Sequence, residues 1–236
     1  IADILPGVAV AADLPVIPGS WIDTEGNESS LTFSGEKPDP RAILEEGGWK
    51  ESKDGYYKQI DGLRRYLKVE LIVNSNNTIR VSVAQKICSQ LEQSGIQATC
   101  TQVTWDELKS RVNNSKYDIA FLGCRVPQLP DISYLYSDSY LSGAIPSGID
   151  AARNISGYKN VQVDTYINLI FAENNPERQK AIFKSLKTQV LNDTPYIGLY
   201  FLRNAMVYSK NLRGQLNPDT WNRYKDIYHW YKPVSQ

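Results

Sequence analysis

Histidine is nearly absent from this chain: His229 is the only one in 236 residues. The three cysteines, Cys88, Cys100 and Cys124, lie far apart and form no CxxC or Cys/His grouping, so the usual ligand set of a structural zinc site is missing. Their odd number allows at most one internal disulfide, and three buried thiols are expected. No apolar run approaches the roughly 20 residues that a membrane-spanning helix needs. Net charge is also lacking, with 26 basic side chains against 26 acidic ones. A chain without excess charge has no long-range pull toward nucleic acid, and no nucleic-acid partner is expected. Several catalytic signatures are missing too: a P-loop GxxxxGK[ST], a GxSxG elbow, an HExxH pair and a dinucleotide GxGxxG. Neither a metal nor an organic cofactor is expected.

What is present is a pattern of alternating elements. Residues 6–40 are broken by Pro6, Gly7, Pro15, Pro18, Gly19, Gly26, Gly35, Pro38 and Pro40, which forbids long regular elements. Asp39 then caps a short helix with Pro40 at its first position, stopped by Gly47 and Gly48. Residues 67–73 read as a strand. Ile79, Val83, Ile87 and Leu91 mark a helical stripe ended by Gly95. A second strand covers 96–103. Thr104 caps the next helix, with Glu107 placed for a capping box. Residues 117–123 form a third strand whose almost continuous apolar character predicts burial on both faces. Strand–helix–strand–helix–strand implies right-handed crossovers and a parallel sheet.

After a loop-rich stretch at 124–160, helices are predicted over 161–173 and 176–192, followed by strands at 196–202 and 205–208. The strand at 196–202 is expected to share one sheet with 67–73, 96–103 and 117–123. From residue 210 the chain is rich in aromatics (Trp221, Tyr224, Tyr228, Trp230, Tyr231) and has little periodicity.

In open α/β sheets ligands collect beyond the carboxyl ends of the strands. The loop that follows the third strand, Gly123 to Ile132, is therefore the leading candidate for a site. Cys124 within it is placed where a nucleophile could stand. A thiol enzyme would have to draw its only histidine from the far tail, which makes catalysis the alternative reading and binding the main one.

The order of several short motifs resembles the C-terminal half of extracellular solute-binding proteins of family 5, the oligopeptide- and dipeptide-binding group. Ala2 to Gly7 and Pro15 to Trp21 look like the family's proline-rich stretch ending in "SW". Pro40 to Trp49 with Asp54-Gly55 behind it resembles its "A-x-x-L-L-x-x-A-G-W…DG" element. Ala84 to Ile96, Tyr117 to Gly123, Asn154 to Asp164, Asp193 to Tyr200 and Leu212 to Gly214 match later family motifs in the correct order.

The resemblance implies an α/β fold: a periplasmic-binding-protein-like (type II) lobe with a mostly parallel central sheet flanked by helices. It implies a binding lobe rather than an enzyme, closing with a second lobe over a peptide or related small-molecule ligand and presenting it to the membrane permease of an ABC importer. A sensory or scaffold module on the same fold is the other non-catalytic reading. Residues 1–209 are expected to form the lobe and 210–236 a tail returning to the other lobe. An extracellular or periplasmic location with a lipid anchor is implied, as is a preceding half of the protein before Ile1. The implied ligand-binding residues are Gly123, Cys124, Arg125, Val126, Gln128, Asn154 and Tyr158. One departure stands out: Cys124 occupies the place of the family's tryptophan, and Pro127 falls near the aspartate that holds a peptide's amino terminus. Arg125 offers a permanent cation instead, which shifts the expected ligand toward one bearing a carboxylate.

Overall fold

The computed structural model describes residues 4–17, 19–23, 39–126, 131–138, 154–219 and 222–233. At its centre is a three-stranded parallel sheet in which β4 (Lys68–Asn74) lies between β5 (Gln97–Val103) and β6 (Ile119–Phe121). Leu71 pairs with Cys100 on one side of β4 and with Ile119 on the other. Helix α2 (Thr78–Gln93) makes the crossover from β4 to β5, and α3 (Trp105–Asn113) makes the one from β5 to β6.

Each helix begins where its capping residue dictates. Asn77 accepts from the Arg80 amide at 3.0 Å, and Thr104 accepts from the Glu107 amide at 3.2 Å. Gly95 closes α2 in the left-handed region at φ +82°, and a side chain there would press on the Tyr56 ring.

The run Leu71-Ile72-Val73 is buried throughout. Leu71 and Val73 face α2, packing with Val83, Ala84, Cys88 and Phe121. Ile72 faces α3, packing with Val103, Leu108 and Val112. Burial of one such aliphatic side chain is worth roughly 1.5–3 kcal/mol. Arg111 of α3 binds the Glu70 carboxylate with both terminal guanidinium nitrogens, tying the helix to the sheet. That bond holds the Glu70 carboxyl below the usual carboxylate range.

A third core forms beside the sheet, where α5 (Val161–Ala172) and α6 (Pro176–Asp193) pack Val163, Ile167, Phe183 and Leu186 against Val16, Ile22 and Tyr136. Lys187 of α6 reaches Asp23 at 3.1 Å, with both side chains largely buried. Short α1 (Pro40–Glu46) starts at Asp39 as expected. Of the elements that periodicity did not foretell, β2 (Tyr57–Ile60) and β3 (Leu63–Tyr66) form a hairpin, and α4 (Ser133–Tyr136) is a single turn.

Three strand expectations are corrected. The strand predicted at 196–202 is reduced to β7 (Tyr200–Leu202) and does not join the central sheet. It pairs antiparallel with β1 (Ala9–Ala11), inside the segment that its prolines and glycines marked as irregular. The physical reason lies in the residues before it. Thr194 is left-handed at φ 50°, and Tyr196 turns its ring onto Tyr136 at 5.5 Å rather than extending a strand. The short strand expected at 205–208 is not formed, and those residues are irregular. The third strand of the sheet is an edge strand: Phe121 is buried, Ile119 is exposed, and Tyr117 and Leu122 pack from outside the ladder.

Gly198 lies so close to the backbone of Ala12 and Asp13 that even a methyl group would collide. Gly198→Ala is therefore expected to part β1 from β7 and to cost about 1–3 kcal/mol, the usual range for overpacking. Hydrogen exchange provides the check. The Ala12 and Arg203 amides, which donate to Leu199 O at 3.3 Å and Val8 O at 2.8 Å, should lose protection while the β4 amides keep theirs.

Candidate functional site

At the carboxyl edge of the sheet, β4 ends in Asn74, and the turn Ser75–Asn77 leads into α2. Asn74 is a buried polar residue; its amide donates to Asn76, and its carbonyl oxygen accepts from Arg80 Nη1 at 3.1 Å. That bond aims the Arg80 guanidinium across the sheet end toward β6. There it lies against Gly123, so close that a Cβ on residue 123 would run into Nη2. The absence of a side chain at Gly123 leaves room for the arginine above it. Arg80 also faces Tyr200 of β7, whose hydroxyl is pushed up by burial and partly drawn back by the guanidinium. Tyr200 in turn meets Phe121 edge-on at 6.4 Å. The open end of the sheet therefore carries a fixed, half-buried cation.

The loop after β6 continues from this point. Cys124 and Arg125 are exposed and Val126 is half-buried. The expectation of three buried thiols is corrected here: Cys88 is buried, Cys100 intermediate and Cys124 exposed, and none of the three is in a disulfide. Cys124 lies on the exposed loop after β6, whereas Cys88 is sealed between α2 and the sheet. The Cys124 thiol lies 3.7 Å from the Tyr134 hydroxyl, a group that burial pushes up. Gln128 lies outside the described residues. Asp131 is engaged at the start of α4, accepting from the Ser133 amide at 2.9 Å and from the Ser133 hydroxyl.

Asn154 and Tyr158 belong to a neighbouring loop and bond to each other. The Asn154 amide donates to Ser137 O at 3.2 Å and to Tyr158 O at 2.6 Å, while its oxygen accepts from the Ser156 hydroxyl at 3.1 Å and the Tyr158 amide at 3.2 Å. Those four bonds use the full hydrogen-bonding capacity of the side chain. The Tyr158 hydroxyl donates to Asp193, which also accepts from Asn160 at 2.7 Å. These bonds hold the Asp193 carboxyl below its usual range and push the Tyr158 hydroxyl up, burial being the larger cause for Tyr158. Tyr136 joins the two loops: its ring meets Tyr158 edge-on at 6.4 Å, and its hydroxyl feels Cys124.

Sequence reasoning singled out the loop and passed over Asn74 and Arg80. A signal for them existed in the polar run Asn74 to Asn77, which is a strand-to-helix turn at the same edge. An open depression of about 490 Å³ at the opposite, amino end of β5 is lined by residues such as Lys53, Asp54, Gln97 and Thr99. It is shallow, and it lies away from the strand ends where the cation sits. Among the described residues no group of three or more His, Cys, Asp or Glu side chains is arranged to hold a metal ion.

Residues 1–145 match the profile of the bacterial extracellular solute-binding proteins, family 5 Middle. The oligopeptide-binding protein AppA of Bacillus subtilis (strain 168) is 24% identical over 216 residues, covering 91% of this chain and 38% of AppA. The solved structure of AppA in complex with a nonapeptide shares the fold with a TM-score of 0.66 at 22% identity, over 99% of this chain and 44% of that one. NikZ from Campylobacter jejuni in complex with Ni(L-His) gives a TM-score of 0.68 at 23% identity, over 98% and 45%. A mannohexaose-bound periplasmic oligopeptide-binding protein from Thermotoga maritima gives 0.63 at 18%, over 94% and 42%. The chain spans less than half the length of these relatives.

The thiols offer a direct check of the loop geometry. Burial raises the Cys88 thiol to about 11, while Cys124 is open to solvent. Under native conditions near neutral pH, iodoacetamide is expected to modify Cys124 first and to leave Cys88 untouched, because only the thiolate reacts. Peptide mapping by mass spectrometry reads the order, with all three cysteines labelled after denaturation. Early labelling of Cys88 would contradict the packing of α2 on the sheet.

Proposed function

This chain belongs to the bacterial extracellular solute-binding proteins, family 5, and from that membership we propose that it is a ligand-binding lobe of a receptor that delivers peptides to the membrane permease of an ABC importer. The observation that carries the reading is the Arg80 guanidinium laid over Gly123 at the open end of a parallel sheet, with Arg125 on the loop beside it. A cation at that edge suits a ligand with a carboxylate, which every linear peptide has at its carboxyl terminus. The oligopeptide-binding relative supports peptides as the cargo class. The solved neighbours hold a nonapeptide, a nickel–histidine complex and a mannohexaose, so the scaffold itself accepts cargo of several shapes.

The work of such a site is capture without bond making. Guanidinium groups bind a carboxylate through charge-assisted, often bidentate hydrogen bonds. Arg80 is pre-oriented by Asn74 and loses little freedom on binding, whereas Arg125 stands on an exposed loop and would close onto the ligand. Gly123, Cys124, Val126 and Gln128 would form the wall of the site, and Tyr158 its far side. Asn154 shapes the neighbouring loop from within. Affinity would be completed by closure of a second lobe over the ligand, which excludes water. A lipid anchor would keep the full receptor at the outer face of the membrane.

Residues 210–236 are proposed to belong with that second lobe. Their described part closes on itself: Arg213 and Tyr231 exchange backbone bonds at 2.8 and 3.0 Å, and the Trp230 indole donates to Gln215 O at 2.7 Å. Tyr224, Ile227, Tyr228 and Tyr231 remain exposed. Exposed apolar surface of this kind marks a contact site. Cutting the chain after Ser209 is expected to leave the thermal stability of the lobe nearly unchanged and to remove any self-association, read by light scattering and calorimetry. A monomeric chain whose cut form is markedly less stable would assign the tail to this lobe.

Carboxylate anchoring is tested in the full-length receptor by titrating a nonapeptide and its carboxyl-terminal amide. The free acid is expected to bind more tightly, and Arg125→Ala to weaken it by roughly 1.5–3 kcal/mol while leaving the amide unchanged. Equal binding of acid and amide by the parent receptor would overturn this reading of the site.

A further inference from the structure

The β2–β3 hairpin projects from the amino end of β4, opposite the edge that carries Arg80. Its turn is tight and pre-formed, with Asp61 and Gly62 both left-handed at φ 52° and 76°. Its base is anchored, since the Leu67 amide donates to Tyr56 O at 2.7 Å, and Tyr57 and Tyr66 face each other at 6.0 Å. The outer part is bare: Ile60 is 47% exposed and Leu63 58%. These two aliphatic side chains are direct cross-strand partners and so form a single apolar tip.

One step behind them on the same face stand Lys58 and Arg65, also direct partners. Like charges set opposite one another destabilise a ladder, so this pairing is unfavourable for the hairpin alone. Arg64 adds a third cation on the other face, resting 4.7 Å over the Tyr57 ring. Asp61 is the only carboxylate between residues 57 and 66, and among the described residues none of the three cations has an ion-pair partner. Beneath Lys58 lies the Trp49 indole, 4.7 Å from the ammonium.

We propose that the β2–β3 hairpin docks on an anionic lipid surface, with Ile60 and Leu63 entering the headgroup layer and Lys58 and Arg65 set at the level of the phosphates. Two residues of strand separate the apolar pair from the cationic pair, about 6–7 Å. Interfacial segments bury their apolar side chains about 5–10 Å into the boundary between headgroups and acyl chains, so the spacing fits that depth. Lipid phosphates would offset the repulsion between Lys58 and Arg65. Trp49 has the amphipathic ring that favours the interface. A bilayer is preferred to an acidic protein surface because the tip is narrow and convex. A protein partner would need a matching apolar pocket, whereas a fluid headgroup layer admits the tip without one. The attraction is local, since the chain as a whole has no net charge.

The test is co-sedimentation of the chain with vesicles of phosphatidylcholine containing phosphatidylglycerol, against phosphatidylcholine alone, at low and high salt. Binding is expected to the anionic vesicles only and to be reversed by salt. Removing a basic side chain near an anionic surface should weaken binding about fivefold. The Lys58→Gln/Arg65→Gln pair should therefore lose more than tenfold, and Lys58→Glu/Arg65→Glu should not sediment. Ile60→Ser/Leu63→Ser should weaken binding severalfold while keeping its salt dependence. All of these positions are partly or fully exposed, and circular dichroism should show the parent fold. The proposal is overturned if the parent does not bind the anionic vesicles, or if the charge variants bind as the parent does. It is equally overturned if a lipid-free polyglutamate matrix retains the chain through the same cations while the vesicles do not.

Discussion

The structure rests on the need of strand β4 for cover on both faces. A parallel sheet leaves no face that water can occupy without exposing apolar side chains, and its crossovers supply the cover. Leu71 and Val73 point to α2 and Ile72 to α3, so two separate packing layers meet at one strand. Residues that look incidental in the sequence serve that requirement. Arg111 fastens α3 to Glu70 with paired hydrogen bonds, and the Asp118 carboxylate accepts from the Glu70 amide at 2.8 Å, just before β6 begins.

The same topology decides where chemistry can occur. Parallel strands end at one edge, so the turn after β4 and the loop after β6 open on the same side. The side chain that spans this edge is on neither loop. Arg80 belongs to the first turn of α2, and its reach over Gly123 joins the two strand ends. A short residue at 123, a buried amide at 74 and a long cation at 80 make one geometric unit. None of the three is informative alone.

That dependence explains what the sequence could disclose. The sheet, α2, α3, α5 and α6 were legible because apolar spacing, caps and breakers act within a few residues of each other. The pairing of β1 with β7 was not. It joins Val10 to Phe201 across most of the chain and depends on Gly198 lying against Asp13, a contact that no local window contains. Asp61-Gly62 between apolar and aromatic residues was a legible hairpin signal, yet the neighbouring strand of the sheet drew the reading away from it. The loop from Gly123 to Ile132 was chosen as a candidate from topology alone. Arg80 was missed because an arginine in the first turn of an amphipathic helix looks like ordinary solvated charge until the glycine beneath it is seen.

The site can be separated into a fixed part and an exposed part. A side chain at 123 would press on the Arg80 guanidinium, whose other terminal nitrogen donates to the buried Asn74 oxygen. The placement of the cation therefore depends on these three positions together. Cys124 and Arg125, by contrast, are exposed and stand outside the buried cores. Buried Asn154 stabilises the adjoining loop and bonds Tyr158 through both its amide and its oxygen. The frame thus holds one cation rigidly at the sheet edge, beside a loop whose side chains are exposed.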